Sequence, residues 1–321
     1  MKILIVEKNE AGQRLDKLLM KQLNKAPKSF IYKMLRKKNI TLNGKKAEGS
    51  EITKMDDEIK FFLSEETIEK FSEQSDTTVV EREFDIVYED SNILVVNKPA
   101  GLLSQKSVPE DVSLVEQVIS YLLTSGQITQ EELQTFKPSI CNRLDRNTSG
   151  LVVTGKSLIG LQTMSGLFRD RSLHKYYLCI VKGKMEKPGQ VSGYLKKDKK
   201  TNQVTVSKGK IEEGDFIQTE YEPIKYNEDY TLLRVKLITG KTHQIRGHLS
   251  SIGHPIAGDT KYGNGNMNKW FRKEFGLEHQ LLHSYQIIFP KMTEEFQHLS
   301  GMELTAEEPE LFQRIEKQLF H

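Results

Sequence analysis

The residues best placed to do chemistry lie in Cys141-Asn142-Arg143-Leu144-Asp145-Arg146-Asn147-Thr148-Ser149-Gly150-Leu151-Val152-Val153. An apolar approach runs into a polar turn with two arginines and one carboxylate, Gly150 ends the turn, and an apolar strand begins. A carboxylate there is a nucleophile if a cation keeps it ionised, and a backbone cap if its neighbours are merely solvated. Asp145 reads as the reactive residue. Arg14-Leu15-Asp16 repeats the tripeptide inside a helical apolar pattern with no glycine turn behind it, so context carries the information.

A second constellation is Thr242-His243-Gln244-Ile245-Arg246-Gly247-His248-Leu249, a short helix predicted after the turn Thr239-Gly240-Lys241 and closed by Gly253-His254-Pro255. Three chemistries are open. His243, His248 and His254, with His283, could hold a metal, but the spacing matches no H-E-x-x-H pattern and no carboxylate is interleaved. His243 could be a general base. Arg246 could pair with a carboxylate elsewhere while the histidines orient loops or contact phosphate. The third is preferred, since a cation about 4 Å from a carboxylate contributes about 4 kcal/mol at an effective dielectric of 20 before desolvation. Tyr176-Tyr177-Leu178-Cys179-Ile180-Val181 must put one tyrosine on each face of a strand, so only one can face a cleft.

Elements must position these groups. Phe84–Asp90 and Ile93–Lys98 read as adjacent strands around Asp90-Ser91-Asn92, the second leaving through Pro99-Ala100-Gly101. Ser113 with Glu116 makes a capping box for a helix turning Leu114, Val118 and Tyr121 or Leu122 inward, and Thr129 with Glu132 repeats the device. Ser157 begins a helix with Leu158, Leu161, Ser165 and Phe168 along one face, followed by Arg169, Arg171, His174 and Lys175. Residues 184–214 read as hairpins and loops, and 231–238 as a long strand.

The 321 residues carry a net charge of +3, unevenly distributed. Residues 1–60 hold 15 Lys and Arg against 8 Asp and Glu, and residues 61–90 hold 2 against 10. A basic head followed by an acidic joint suits a polyanion partner. In the head, Leu15, Leu18, Leu19 and Leu23 predict a first helix ended by Pro27. A second, capped by Ser29, turns Phe30, Ile31, Met34 and Leu35 inward and Lys33, Arg36, Lys37 and Lys38 outward. Ile40–Lys46 reads as a strand entering an Asn43-Gly44 turn, with further short strands at Ile52, Ile59 and Phe61. Lys28, Lys33, Arg36, Lys37, Lys38 and Lys45 are the expected phosphate contacts. Residues 64–82 show no period and read as a flexible linker. No apolar run approaches a membrane span, the first residues are too soon charged for a secretory signal, and two cysteines fit a reducing cytoplasm. A soluble cytoplasmic monomer is expected.

In order along the chain, Asn97-Lys98-Pro99-Ala100-Gly101, Asn142-Arg143-Leu144-Asp145 with Thr148-Ser149-Gly150, Lys175 with Tyr177-Leu178, Gly240 to Arg246, Gly253-His254-Pro255 with Gly258-Asp259, and Leu282-His283 resemble the RluA-type pseudouridine synthases, in their RluC/RluD-like branch. Arg14–Leu19, Ser29 and Ile40–Lys45 resemble the small RNA-binding domain named after ribosomal protein S4. The resemblance implies an S4-like domain at 1–62, an acidic linker at 63–82 and a catalytic domain at 83–321, α+β with a mixed, mostly antiparallel sheet. It implies an isomerase that breaks the uridine base–ribose bond and rejoins the base through carbon, without cofactor or metal, in ribosomal RNA of the large subunit or its precursor. Asp145 matches the catalytic aspartate, Arg246 its cationic partner and Tyr177 the tyrosine against the base. Arg143 matches the arginine that displaces the nucleotide, and Leu282 part of the apolar wall; His243 joins these two at the RNA. Asn142, Arg146-Asn147 and Gln105 depart from the family pattern, at positions expected to touch RNA near the flipped base. The rival from another class is a non-catalytic RNA-binding protein of ribosome assembly; a metal-dependent hydrolase ranks third.

Overall fold

The computed structural model describes residues 1–73, 78–198 and 200–320. Its first part comprises β1 (Lys2–Ile5), α1 (Leu15–Gln22), α2 (Lys28–Arg36), the hairpin β2 (Ile40–Leu42) and β3 (Lys45–Lys46), β4 (Glu58–Phe61) and α3 (Glu65–Phe71). The strands form one sheet in the order β1-β4-β2-β3. Asn43 and Gly44 take φ of 50° and 71°, the paired left-handed conformation that an Asn-Gly hairpin turn needs. Leu15, Leu18 and Leu19 of α1 pack with Ile31, Met34 and Leu35 of α2 over Ile40, Ile59 and Phe61. Lys28, Lys33, Arg36, Lys37, Lys38 and Lys45 are all exposed.

Two expectations are corrected here. Ser29 lies inside α2; Pro27 occupies the cap position, where its locked φ and missing N–H suit a helix boundary. The joint expected to lack structure from residue 64 forms α3 instead. Ser64 caps it by accepting the Thr67 N–H, and Phe71 packs on Phe30 with ring centroids 4.4 Å apart. Two turns are too short to display a period, and the stabilising contact comes from another helix. Residues 74–77 of the joint lie outside the described residues.

The larger part begins with the antiparallel hairpin β5 (Asp85–Glu89) and β6 (Ile93–Lys98), whose turn is closed by Asp90 accepting the Asn92 and Ile93 N–H groups. Next come α4 (Leu114–Thr124), α5 (Glu132–Thr135), β7 (Ser139–Ile140), β8 (Ser149–Gly155), α6 (Leu158–Asp170) and β9 (His174–Lys182). Both predicted caps form: Glu116 accepts from the Ser113 N–H, and Thr129 and Glu132 exchange bonds. Ser157 caps α6, but its buried face is Gly160 and Met164, one residue round from the expected stripe, because Gly160 sits against the Asn92 carbonyl. The chain continues through β10 (Gly189–Asp198), β11 (Gln203–Ser207), β12 (Asp215–Tyr226), β13 (Tyr230–Leu237), α7 (Gln244–Ser251), α8 (Gly265–Phe275), β14 (Leu282–Ile288), β15 (Glu303–Thr305) and α9 (Glu310–Phe320).

The strands form a mixed sheet in the order β11-β10-β12-β13-β9-β14-β8-β6-β5, with β15 on β14 and β7 on β8. Among the described residues only β14 and β8 pair in parallel as strands; the other pairings are antiparallel. Alternation along a strand divides the core. Leu94, Val96, Val152, Tyr177, Cys179 and Val235 face α4 and α7, whereas Leu178 and Ile180 face α8 and α9 and Ile93, Val95, Leu151 and Val153 face α6. The apolar runs of β6 and β8 therefore reflect burial on both faces.

Gly150 lets β14 and β8 meet. Its φ is +111°, and a Cβ there would come within 2.3 Å of the Ser284 carbonyl oxygen. Gly150→Ala should destabilise by about 3 kcal/mol or more, from strain and overpacking together. Denaturant melts check this; a loss under 1 kcal/mol would mean that β14 can shift aside freely.

Candidate active site

Asp145 sits on the loop between β7 and β8, and the preceding sequence holds that loop in place. Ser104 brackets Leu144, donating to its carbonyl at 2.7 Å and accepting its N–H at 3.0 Å. Arg146 is tied to the Pro-Ala-Gly bend by its carbonyl, which accepts the Gly101 N–H, and by its guanidinium, which donates to the Gly101 carbonyl. Lys98 is wholly buried and donates to the carbonyls of Pro99, Leu102 and Arg146. Burial lowers its pKa to about 7, against the opposing pull of the Asp145 charge. Asn142 lines the cleft, and its side chain fastens β8 by accepting from the Val153 N–H and donating to the Leu151 carbonyl.

The preferred ion pair forms. Arg246, on α7, donates from Nη1 to Asp145 Oδ2 at 2.8 Å and grips Asp259 through Nε and Nη2 at 2.7 and 2.9 Å. The side chains of Arg246 and Asp259 are 5% and 0% exposed, that of Asp145 25%. One carboxylate is thus sealed in and the other opens to solvent. Burial works against the charge of Asp259, but Arg246 and the N–H groups of Tyr262 and Lys261 outweigh it and hold its pKa below the ordinary value. With Asp259 fixing two of its nitrogens, Arg246 has one direction left for Nη1. Asp259 lies in the family-like stretch Gly258-Asp259, with no role expected of it from the sequence. The glycine-bounded polar run Gly258-Asp259-Thr260-Lys261-Tyr262-Gly263 was the available signal, and it has the composition of the Asp145 turn.

His243 caps α7 in a left-handed conformation, φ 53°. Its Nδ1 is 2.8 Å from the Tyr262 hydroxyl and its Nε2 3.6 Å from Asp145 Oδ2. Burial, with Arg246 adding to it and Asp145 opposing, lowers its pKa to about 4. The four histidines do not converge: His248 meets Thr219, His254 the Lys182 carbonyl, and His283 Ser149 and the Ala306 carbonyl. Among the described residues no group of three or more His, Cys, Asp or Glu could hold a metal ion.

Buried neutral histidines couple stability to pH. Burial lowers His248 and His283, like His243, to about 4. As pH falls from about 6.5 the unfolded chain takes up these protons first, so stability must decline between about 6.5 and 4. Thermal melts at stepped pH should show Tm falling across that window; a flat profile would contradict the neutral assignment.

Asp145, Tyr177, Arg246, Arg143, Leu282 and His243 all line one cleft of about 760 Å³. Tyr177 and Leu282 are buried, each 6% exposed, and supply the apolar part. Burial pushes the Tyr177 hydroxyl up to about 12, with the Asp145 charge adding and a hydrogen bond to Ser284 opposing, so it stays protonated. Its neighbour Tyr176 points the other way, beneath the Arg234 guanidinium 4.0 Å from its ring centre. Arg143 is exposed at the rim, and Gln105 also lines the cleft. Lys28, Lys33 and Arg36 lie on α2, Lys37 and Lys38 just after it and Lys45 on β3, all outside these walls.

The cleft thus pairs a carboxylate with a buried arginine beside an apolar surface that carries one tyrosine. The RNA pseudouridylate synthase family model matches residues 92–251. An uncharacterized RNA pseudouridine synthase of Mycoplasma genitalium is 30% identical over 94% of this chain and 93% of its own length. Ribosomal large subunit pseudouridine synthase C of Vibrio parahaemolyticus is 30% identical over 98% and 94%. The solved structure of human RNA pseudouridylate synthase domain containing 4 superposes with a TM-score of 0.56 at 23% identity, over 73% of this chain and 92% of that one, and so shares the fold. The chain belongs to the RluA-type RNA pseudouridine synthases. It is an isomerase that converts uridine to pseudouridine in RNA, which disfavours the reading as a binding protein without catalysis. Among the described residues no helix is long and apolar enough to cross a membrane.

Proposed function

We propose that this enzyme modifies uridines of large-subunit ribosomal RNA, or of its precursor, with Asp145 as the nucleophile. The observation that carries the reading is the chain of charge Asp259–Arg246–Asp145 ending beside Tyr177. Isomerisation moves no net electrons and consumes no energy source, so a positioned carboxylate and a closed pocket supply what it needs. Arg246 pairs with Asp145 and holds its carboxylate in place for attack. Tyr177 and Leu282 hold the freed base against escape while it turns, and Arg143, at the rim, takes the place of the extruded nucleotide in the RNA. His243, neutral and braced by Tyr262, orients the turn before α7. The enzyme works as a cytoplasmic monomer and needs no cofactor; both cysteines are free thiols. Large-subunit RNA is favoured by the relatives, since the synthase C of Vibrio parahaemolyticus carries that substrate in its name.

Pseudouridine maps of ribosomal and transfer RNA from cells with and without the gene test the substrate. Loss of one or more large-subunit sites is expected; loss confined to transfer RNA would overturn this assignment.

The N-terminal residues 1–62, as an S4-like module, act as an electrostatic anchor. Among the described residues none of Lys28, Lys33, Arg36, Lys37, Lys38 and Lys45 is in an ion pair, which leaves their charge for phosphates. Replacing Lys33, Arg36, Lys37 and Lys38 by alanine should make the plot of log affinity against log salt shallower by about 0.7 to 0.9 per lost contact. Turnover at saturating RNA should hold. An unchanged slope would place the anchor elsewhere.

A further inference from the structure

Among the described residues the buried side chains of Lys98, Arg246 and Lys156 are compensated. Lys98 has three carbonyls, Arg246 two carboxylates, and Lys156 the Glu89 carboxylate at 2.6 Å. Lys175 differs. It lines the cleft, its ammonium lies 5.5 Å from the Phe168 ring centre, and it packs so closely on the next wall that a Cβ on Gly240 would be 3.3 Å from Nζ. Among the described residues it has neither an acidic partner nor a hydrogen-bond acceptor. Burial, with the Arg171 charge adding, lowers its pKa to about 8. Two more cations without a salt bridge or side-chain hydrogen bond among the described residues, the exposed Arg169 and Arg171, line the same cleft, and the Arg171 charge acts on Lys175. Arg171 ends α6 in a left-handed conformation, φ 66°, where glycine is the usual residue. Three cations on one cleft with no acidic partner among the described residues leave their charge available to an anion from outside.

We infer that Lys175, Arg171 and Arg169 form a subsite for one backbone phosphate of the RNA, that of the nucleotide whose base lies on Tyr177. This rests on the reading of the cleft as the uridine site. Lys175 and Tyr177 are two residues apart on the same face of β9, about 6.6 Å along the strand, comparable to the distance from a base to the phosphate of its own nucleotide. Lys175 supplies a point charge on the inner side, and the two guanidiniums close on the remaining oxygens from the solvent side. Held there, the phosphate fixes the ribose relative to Asp145.

The test measures affinity for an in vitro transcript of bacterial large-subunit ribosomal RNA by filter binding at stepped potassium chloride, together with turnover on that transcript. Lys175→Met should flatten the log–log salt slope by about 0.7 and lower kcat/KM about tenfold, and Lys175→Arg should restore the slope. Arg171→Ala, at an exposed position, should flatten the slope in the same way, and adding it to Lys175→Met should flatten it little further; it carries the test if the methionine variant does not fold. A packing role alone would lower Tm and leave the slope intact, and an intact slope in both variants overturns the subsite. Absence of turnover by the wild type on this RNA would instead count against the proposed substrate, while the binding slopes would still read the phosphate contact.

Discussion

Asp145→Asn should abolish pseudouridine formation, with turnover reduced by at least about 10⁴-fold, while RNA affinity stays within a few fold of wild type. The substitution keeps an oxygen near Arg246 Nη1, so the cleft keeps its shape; it removes the charge and the nucleophilic electron pair. Because the isomerisation does not change mass, the assay tags pseudouridine chemically in treated RNA. Retained turnover would sink the assignment of Asp145, whereas collapse of binding would show that the carboxylate organises the RNA surface as well.

Asp259→Asn should be the second most damaging change, at a residue that need not touch the substrate. Asp259 is fully buried and fixes two nitrogens of Arg246. Without its charge, the arginine keeps only the half-open partner, Asp145. Breaking a buried pair on one side costs about 3–5 kcal/mol, which should lower Tm by about 10 °C in a domain of this size. Displacement of Nη1 by about 1 Å should lower kcat about 10²-fold with little change in KM. The pH dependence has a definite sign. Asp259 has a depressed pKa in the fold, so its contribution is present above the unfolded value of about 4 and is lost as pH falls through the lower folded value. The variant should lack that acid limb. A variant with normal kcat would show that Arg246 is held by Asp145 alone.

Much of the site was legible because its signals are local. The polar turn around Asp145, the glycine that ends it and the alternation that splits Tyr176 from Tyr177 all act within a few residues, as do the caps at Ser113, Thr129 and Ser157. Arg14-Leu15-Asp16 was separable from Arg143-Leu144-Asp145 on the same grounds. In the fold Asp16 is buried on α1, bonded to Arg14 and Tyr32, and the Arg14 hydrogen bond is the largest cause of a pKa lowered to about 2. What escaped depends on partners far along the chain. Asn142 is occupied by β8, Asp259 matters because Arg246 reaches it, and α3 is held by Phe30 across some forty residues. No pattern within a segment encodes those meetings. The mixed sheet was expected from family resemblance; periodicity alone does not reveal that β14 lies between β8 and β9.

That placement has a consequence for how the protein is made. Strands β8 and β9 follow one another in sequence with one helix between, yet they are not neighbours in the sheet, and β14 joins them from more than 100 residues later. The closure is costly in loop entropy and belongs to the slow class of pairings of high contact order. During synthesis the N-terminal module and the β5–β6 hairpin have emerged long before β14 exists. The strand that carries Leu282 and pairs along Tyr177 therefore arrives well after the strands it joins. The cleft lined by Tyr177 and Leu282 is therefore complete only after β14 has been made, long after α2 has emerged.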